Sequence, residues 1–386
     1  MLIVFVTNKI IAMDTILPIL VEANECNNQK VIVVVSRKKG LQAIESNVVL
    51  NDVVNKIGFK FLFGGRYRFR LYKRIVGSVQ FLLLFIAGIS GAKFIHFDTL
   101  HHIHLKILSK FFASRIYYSE RDSIKHDFFK LPHHFKNKFG NNYKEGNFPV
   151  PLGGNVISYN KDRLHYYYGY DILKKRKVYF LGPTRTRHSW LKYIDNKSDY
   201  YFNKFHQDVD ISNGIIVIVL TNYGLDEPLE EDVFSQKKLR KNFENTVNVL
   251  SEIKGDIPVF LKAHSYTDIE YVESVLSKRN GFHITYIHPS MLLLVAKFVI
   301  CNYYSSILGD AHGLGVPTIE YTYYPSYIRK NTGDGSICSD YVDWFIYDNI
   351  NEFRKVVVDL ISQDYNRKQF VKDIKQQRDA LLIDLC

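Results

Sequence analysis

Two doubly wound parallel-sheet α/β domains facing one another across a cleft are the fold class this sequence predicts, on three observations. Short apolar runs alternate with stretches of helical periodicity along most of the chain, the pattern of a parallel sheet covered by helices. At 386 residues the chain exceeds one ordinary core and suits two domains of roughly 150–200 residues. The alternation also begins afresh near Ile215, after a long stretch rich in turn residues. With 46% hydrophobic and 23% charged residues, the composition is globular rather than disordered.

In order, Leu2–Thr7 reads as a strand and Asp14–Glu25 as a helix with apolar Ile16, Leu17, Leu20 and Val21. Val31–Ser36 is a continuous apolar run of the kind a parallel sheet buries on both faces, and Leu50–Asn55 a further short segment. Residues 66–74, RYRFRLYKR, interleave five basic residues with aromatic and apolar ones. Such a stretch can grip single-stranded nucleic acid, lie against anionic lipid headgroups, or form a solvated strand edge or helix face. The uncharged run beside it favours lipid over nucleic acid. That run, Ile75 to Ala92, is 18 residues long between Lys73, Arg74 and Lys93, near the lower limit for a membrane span. Its three glycines, two serines and one glutamine point instead to a helix and turn inside an α/β domain.

Ala92–Phe97 and Arg115–Tyr118 are two more strands. The first runs into Asp98, then His101, His102 and His104; the second into Ser119, Glu120, Arg121, Asp122 and Ser123. A carboxylate at such a strand end can take a proton from an acceptor hydroxyl. The three histidines lack a metal-ligand pattern such as HExxH. Residues 132–176 read as loop, giving way to strand Lys177–Leu181. Arg185 and Arg187 follow the Gly182-Pro183 turn, where they can bind a carboxylate or phosphate or stand as surface charges on a connecting loop. The predicted domains are residues 1–176, 177–348, and C-terminal helices over 349–386 that can pack back on the first domain.

The second half carries strands Ile215–Thr221, Val259–Leu261, His283–Ile287, Phe298–Cys301 and Thr318–Tyr321. Between them lie helices Lys237–Ile253, Ile269–Ser277, Met291–Ala296 and Ser306–Leu314. Phe353, Val356, Val357, Leu360 and Ile361 recur at helical spacing near the end of the chain. Three strands end in chemistry-bearing residues: Lys262-Ala-His264, Asn302-Tyr-Tyr304-Ser305-Ser306 and Glu320-Tyr321. Ligands of open α/β sheets sit beyond the carboxyl ends of strands, so these ends read as one site. Ser305 and Ser306 open a helix, whose N–H groups and hydroxyls suit an anion, although a serine there also serves as an N-cap. Glycines at 309, 313 and 315 permit close backbone approach to a ligand.

A net charge of +12 and a pI of about 9.2 favour an anionic partner: a nucleotide-sugar, a nucleic acid or an anionic membrane face. Cys26, Cys301, Cys338 and Cys386 are scattered without a CxxC pair, as expected of a reducing, cytoplasmic compartment without disulfides or zinc. The opening LIVFVT run lacks the basic start and small-residue cleavage site of a signal peptide. Asp208-Val-Asp210 imitates the Asp-x-Asp of metal-dependent sugar transferases but falls before a strand, away from the three strand ends. No GxxxxGK[ST] is present and no GxGxxG follows the first strand, which weakens ATPase and dehydrogenase readings.

The succession of strand, K-x-H, helix, H-x-x-x-x-L-x-x-A, strand, Y-S-S, helix and G-x-P-x-I-E-Y resembles the C-terminal domain of GT-B glycosyltransferases of bacterial surface polysaccharides. It looks most like those using CMP-activated sugars, the sialyl-, polysialyl- and Kdo transferases, and is similar to the glycerol-phosphate polymerases of teichoic acid synthesis. The resemblance implies that His264 matches the family histidine, although Ser265 replaces the usual proline, and that Ser305 and Ser306 match the pair holding nucleotide phosphate. The one His-Pro, His288-Pro289, is the competing match. It also implies an N-terminal acid/base at a strand end, Asp98 first and Glu120 or Asp122 second, without the family's Asp-Asp-Gly.

The resulting expectation is two Rossmann-like domains in the GT-B layout. They would transfer a CMP-linked ulosonic or nonulosonic acid to a lipopolysaccharide or capsule glycan, without metal or cofactor. Donor binding falls to Lys262, His264, Tyr304, Ser305, Ser306, Glu320 (on a ribose hydroxyl), Arg185, Arg187 and His288. Residues 66–74 would keep the enzyme at the inner membrane face near a lipid-linked acceptor. The competing readings are a UDP-GlcNAc 2-epimerase, similar in its C-terminal pattern; a polysaccharide pyruvyltransferase, which Ser119–Ser123 resembles faintly; and a non-catalytic nucleic-acid-binding protein.

Overall fold

The apolar runs become parallel strands in two separate sheets. A computed structural model describes residues 1–7, 10–66, 69–97, 103–120, 150–221, 236–264, 267–324, 326–364 and 380–386. In chain order, the first half holds β1 (Leu2–Val6), α1 (Ile10–Asn27), β2 (Val31–Val35), α2 (Lys38–Ser46), α3 (Val48–Ile57), β3 (Gly58–Leu62) and α4 (Arg70–Ile89). It continues with β4 (Lys93–His96), α5 (Ile103–Phe112), β5 (Ile116–Ser119), β6 (Asn155–Ser158), α6 (Lys161–Tyr168), α7 (Ile172–Lys175) and β7 (Lys177–Phe180). The sheet order is β3-β2-β1-β4-β5-β6-β7, parallel throughout. Valines 31 and 33–35 and Leu2–Val4 are buried, which is why these runs do not alternate with polar residues.

After α8 (His188–Phe205) come β8 (Ile215–Val219), α9 (Gln236–Ile253), β9 (Val259–Lys262), α10 (Ile269–Leu276), β10 (Phe282–Thr285) and α11 (Pro289–Leu294). Then follow β11 (Ala296–Cys301), α12 (Ser306–Gly313), β12 (Thr318–Thr322), α13 (Ser326–Thr332), β13 (Trp344–Tyr347), α14 (Ile350–Ser362) and α15 (Ala380–Leu385). The second sheet is ordered β10-β9-β8-β11-β12-β13, also parallel. Phe243, Val247 and Leu250 of α9 and Phe353, Val357 and Leu360 of α14 close one of its faces.

Three expectations need correction. The stretch 132–176 is not all loop: β6, α6 and α7 lie within it. The junction follows residue 190 rather than 176, because β7 pairs with β6 and completes the first sheet. The C-terminal helices also divide. Helix α14 packs in the second unit, whereas α15 belongs to the first, where Leu381, Leu382 and Leu385 are buried and Asp384 pairs with Lys177 and Tyr179.

The uncharged stretch forms a helix ending in a turn at Ser90 and Gly91, but it is not a core helix. Among the described residues, α4 is the one helix long and apolar enough to cross a membrane, and most of its aliphatic side chains are exposed. The basic residues Arg70, Lys73 and Arg74 form its first turn; Tyr67 and Arg68 lie outside the described residues.

Candidate nucleotide-binding site

The second sheet starts at β8, grows outward through β9 to β10, then returns to β11 on the other side of β8. The reversal between β8 and β11 is a topological switch point, and the crevice beyond the strand ends there is where open α/β sheets bind ligands. Lys262–His264 leaves β9 and Asn302–Ser306 leaves β11, so the two polar segments flank the carboxyl end of β8.

Local hydrogen bonds fix both segments. One hydroxyl ties the His264 turn to β8: Thr267 Oγ1 accepts from the His264 N–H (2.9 Å) and donates to the Thr221 carbonyl (3.2 Å). Asn302 is fully buried and its Nδ2 donates to the Tyr321 carbonyl and to Thr246 Oγ1, both at 3.1 Å. Thr322 Oγ1 returns a bond to the Asn302 carbonyl (2.8 Å). These contacts pin the end of β11 before the chain enters α12. Ser305 is extended (φ −150°, ψ 147°) and its Oγ accepts from the Ile307 N–H at 3.3 Å, so it is the N-cap of α12. Tyr304, Ser305 and Ser306 are partly exposed, and the rings of Tyr303 and Tyr304 meet edge to face at 4.8 Å. Thr267 and Asn302 carry no motif in the sequence; only the buried polar position directly after an apolar strand marks Asn302.

His264 is exposed at its surface, yet the protein around the ring desolvates it. That desolvation, reinforced by the Lys262 ammonium, lowers its pKa from the ordinary value. An imidazole held neutral here still donates one N–H. His288 differs: it is buried, its Nδ1 accepts from the Ser290 N–H (3.2 Å), and it caps α11 beyond the edge strand β10. Of the two histidines, His264 stands beside the switch point.

Glu320 is not at the crevice. It is completely buried, and Tyr324 and Ser336 donate hydrogen bonds to its two oxygens. Burial pushes its pKa up to about 7 against the opposing effect of those two donors. The ribose role read for it therefore gives way to a core role.

Arg185 and Arg187 lie in the first unit, where Arg185 pairs with Asp14 at 2.7 Å and Arg187 with Glu22. They do bind carboxylates, but those of α1, so the donor-binding reading for them is withdrawn. Glu120 is likewise committed. Its Oε1 accepts from Arg163 Nε (3.2 Å), and its Oε2 faces Arg163 Nη2 (3.1 Å), Ser158 Oγ (2.5 Å) and the Tyr159 N–H (3.3 Å). Buried and with both oxygens engaged by these partners, Glu120 is a structural residue of the first unit. Asp98 and Asp122 lie outside the described residues. Asp210 accepts from the Ser212 N–H (2.9 Å) in a turn, and among the described residues no group of three or more His, Cys, Asp or Glu could hold a metal ion.

No family model matches the chain, and no curated protein matches it by sequence. Solved structures do resemble it. The UDP-GlcNAc 2-epimerase from Neisseria meningitidis bound to UDP-GlcNAc aligns with a TM-score of 0.56 at 10% identity, covering 97% of this chain and 95% of that one. The Methanocaldococcus jannaschii UDP-GlcNAc 2-epimerase, in complex with UDP-GlcNAc and UDP, gives 0.51 at 13% identity, covering 95% and 94%. The wall teichoic acid polymerase TagF, soaked with CDPG, gives 0.50 at 14%, covering 93% and 79%. At these identities the likeness is one of fold: two parallel-sheet α/β units of GT-B type.

Proposed function

We propose that the chain is a nucleotide-sugar-dependent glycosyltransferase whose donor site is the β8/β11 crevice of the second unit. The observation that carries this reading is the convergence of Lys262–His264 and Tyr304–Ser306 on the two sides of one strand end. The α12 N-terminus and the Ser305 and Ser306 hydroxyls meet the donor phosphate, with the Lys262 ammonium and a His264 N–H completing the anion site. As the glycosidic oxygen leaves with its phosphate, these groups take up the developing charge. The acceptor hydroxyl attacks the anomeric carbon and loses its proton to a carboxylate. Glu120 being committed to Arg163, Asp98 is the proposed base. The donor read from the sequence is CMP-linked, a Kdo- or sialic-acid-like sugar passed to a lipopolysaccharide or capsule glycan.

A thermal-shift panel of CMP, UDP, CDP and GDP tests the reading. At least one should raise the melting temperature, and His264→Ala should diminish the shift while leaving the unliganded melting temperature in place. No shift with any of the four would overturn it. The fold likeness to structures holding UDP-GlcNAc favours a second reading, a UDP-GlcNAc 2-epimerase. That enzyme would interconvert a UDP-sugar with no acceptor present, which a transferase would not.

A further inference from the structure

Helix α4 is apolar on its outward as well as its inward face. Leu71, Ile75, Val79, Leu82, Ile86 and Ile89 recur every three or four residues and are each 48–66% exposed. The inward face carries Gly77, Gln80, Leu84 and Gly88, with Phe81 and Phe85 packed on the same core. A surface helix of a globular protein normally turns its aliphatic stripe to the core. The inward contacts show that this orientation is set by packing and not by a loose helix. Gln80 Oε1 accepts from the Gly64 N–H at 2.7 Å and its Nε2 donates to the Leu62 carbonyl at 3.4 Å. Arg115 Nη1 donates to the Gly88 carbonyl at 2.6 Å. A Cβ at Gly88 would stand 2.6 Å from the Phe112 ring, so glycine lets α4 lie close on α5. Ile103 and Phe111 of α5 are exposed as well.

The charge around this stripe is one-sided. Residues 53–119 hold eleven Lys and Arg against a single acid, Asp98, so this sixth of the chain accounts for most of the +12. Arg70, Lys73 and Arg74 are exposed in the first turn of α4, which has no acid. Cations at a helix N-terminus oppose the helix dipole, a local cost that a partner would offset.

We infer that the outward face of α4, with its basic first turn, is an interfacial membrane-docking surface for an anionic phospholipid bilayer. The hydrogen bonds of α4 with Leu62, Gly64 and Arg115 and the ring contacts of Phe85 with Phe111 and Phe112 of α5 oppose a span, which would break them, and fit a helix lying in the interfacial plane. Charge complementarity selects lipid over a second copy of the chain, which would bring the same positive field against itself. The role that the sequence suggested for residues 66–74 thereby extends along α4. The inference is independent of the donor site.

The test is sedimentation of the full chain with phosphatidylglycerol-containing vesicles and with phosphatidylcholine vesicles alone. The chain should partition onto the anionic vesicles and much less onto the neutral ones. Leu82→Asp with Ile86→Asp should lower that partitioning by about tenfold or more, and Lys73→Ser with Arg74→Ser should erode the anionic preference. Both pairs are exposed, so the unliganded melting temperature should hold. A Val79→Trp variant gives a readout that does not depend on the aspartate pair folding: its emission should shift to the blue with anionic vesicles. No anionic binding, binding untouched by the aspartate pair, or an unshifted Val79→Trp emission would each overturn the inference. So would a concentration-dependent dimer that the aspartate pair dissolves, since the stripe would then face a second copy.

Discussion

At the second unit's core, Glu320 shows how burial sets a protonation state. Its pKa of about 7, against an ordinary 4.5, means that the folded chain holds this proton where the unfolded chain has released it. Stability therefore falls as pH rises from about 4.5 to 7, with a limiting slope of about 1.4 kcal/mol per pH unit, and is flat above that window. Glu320→Gln keeps the shape and one donor but cannot titrate. Melting temperatures measured from pH 4.5 to 8 should decline less steeply for the variant; identical profiles would place the titration elsewhere. Glu120 is buried against a guanidinium, that of Arg163. Glu120→Ala should cost about 3–5 kcal/mol in urea denaturation by stranding Arg163, and the double variant Glu120→Ala/Arg163→Met should recover part of the loss. At His264 the depressed pKa has a sign that can be tested within the proposed function. A phosphate favours the protonated ring, so nucleotide affinity should rise as pH falls below the usual histidine range, and His264→Ala should flatten that rise.

Helix α12 separates capping from anion binding. Ser305→Ala removes the bond to the Ile307 N–H and should cost about 1 kcal/mol. Ser305→Asp keeps a cap but sets a negative charge where the proposed phosphate lies. Near-native stability with lost nucleotide shift is the expected result; an unchanged shift would show that the serine is only a cap. The elements that frame this site are legible because β8 is buried throughout and reads as an unbroken apolar run, and β9 and β11 carry buried apolar runs, Val259–Leu261 and Phe298–Cys301. Strands β3, β6 and β13 are less so. GFKFL alternates and is only partly buried, NVIS has four residues, and WFIY forms an edge. Missing β6 is what moved the expected junction to residue 176. The site residues divide in the same way. Those held by main-chain position, Lys262–His264 and Ser305–Ser306, follow from strand ends. The fates of Glu320, Glu120, Arg185 and Arg187 depend on partners up to 171 residues away, Tyr324 beside Glu320 being the near exception, and no local pattern carries the distant ones.

Across the molecule, each sheet has a hydrophobic core of its own, so the two units are expected to unfold as two calorimetric transitions rather than one. Glu120 and Arg163 belong to the first unit and the proposed donor site to the second. Glu120→Ala should therefore lower one transition and leave the other in place. A bound nucleotide should raise the other, by about 2.7 kcal/mol of stability at a hundredfold excess over its dissociation constant. The α4 aspartate pair should move neither, because its side chains are exposed. The pairing of effects matters more than their size. If CMP or UDP raises the transition that Glu120→Ala lowers, the nucleotide binds the first unit, and the assignment of Lys262, His264, Ser305 and Ser306 to its phosphate fails even though the chain binds nucleotide.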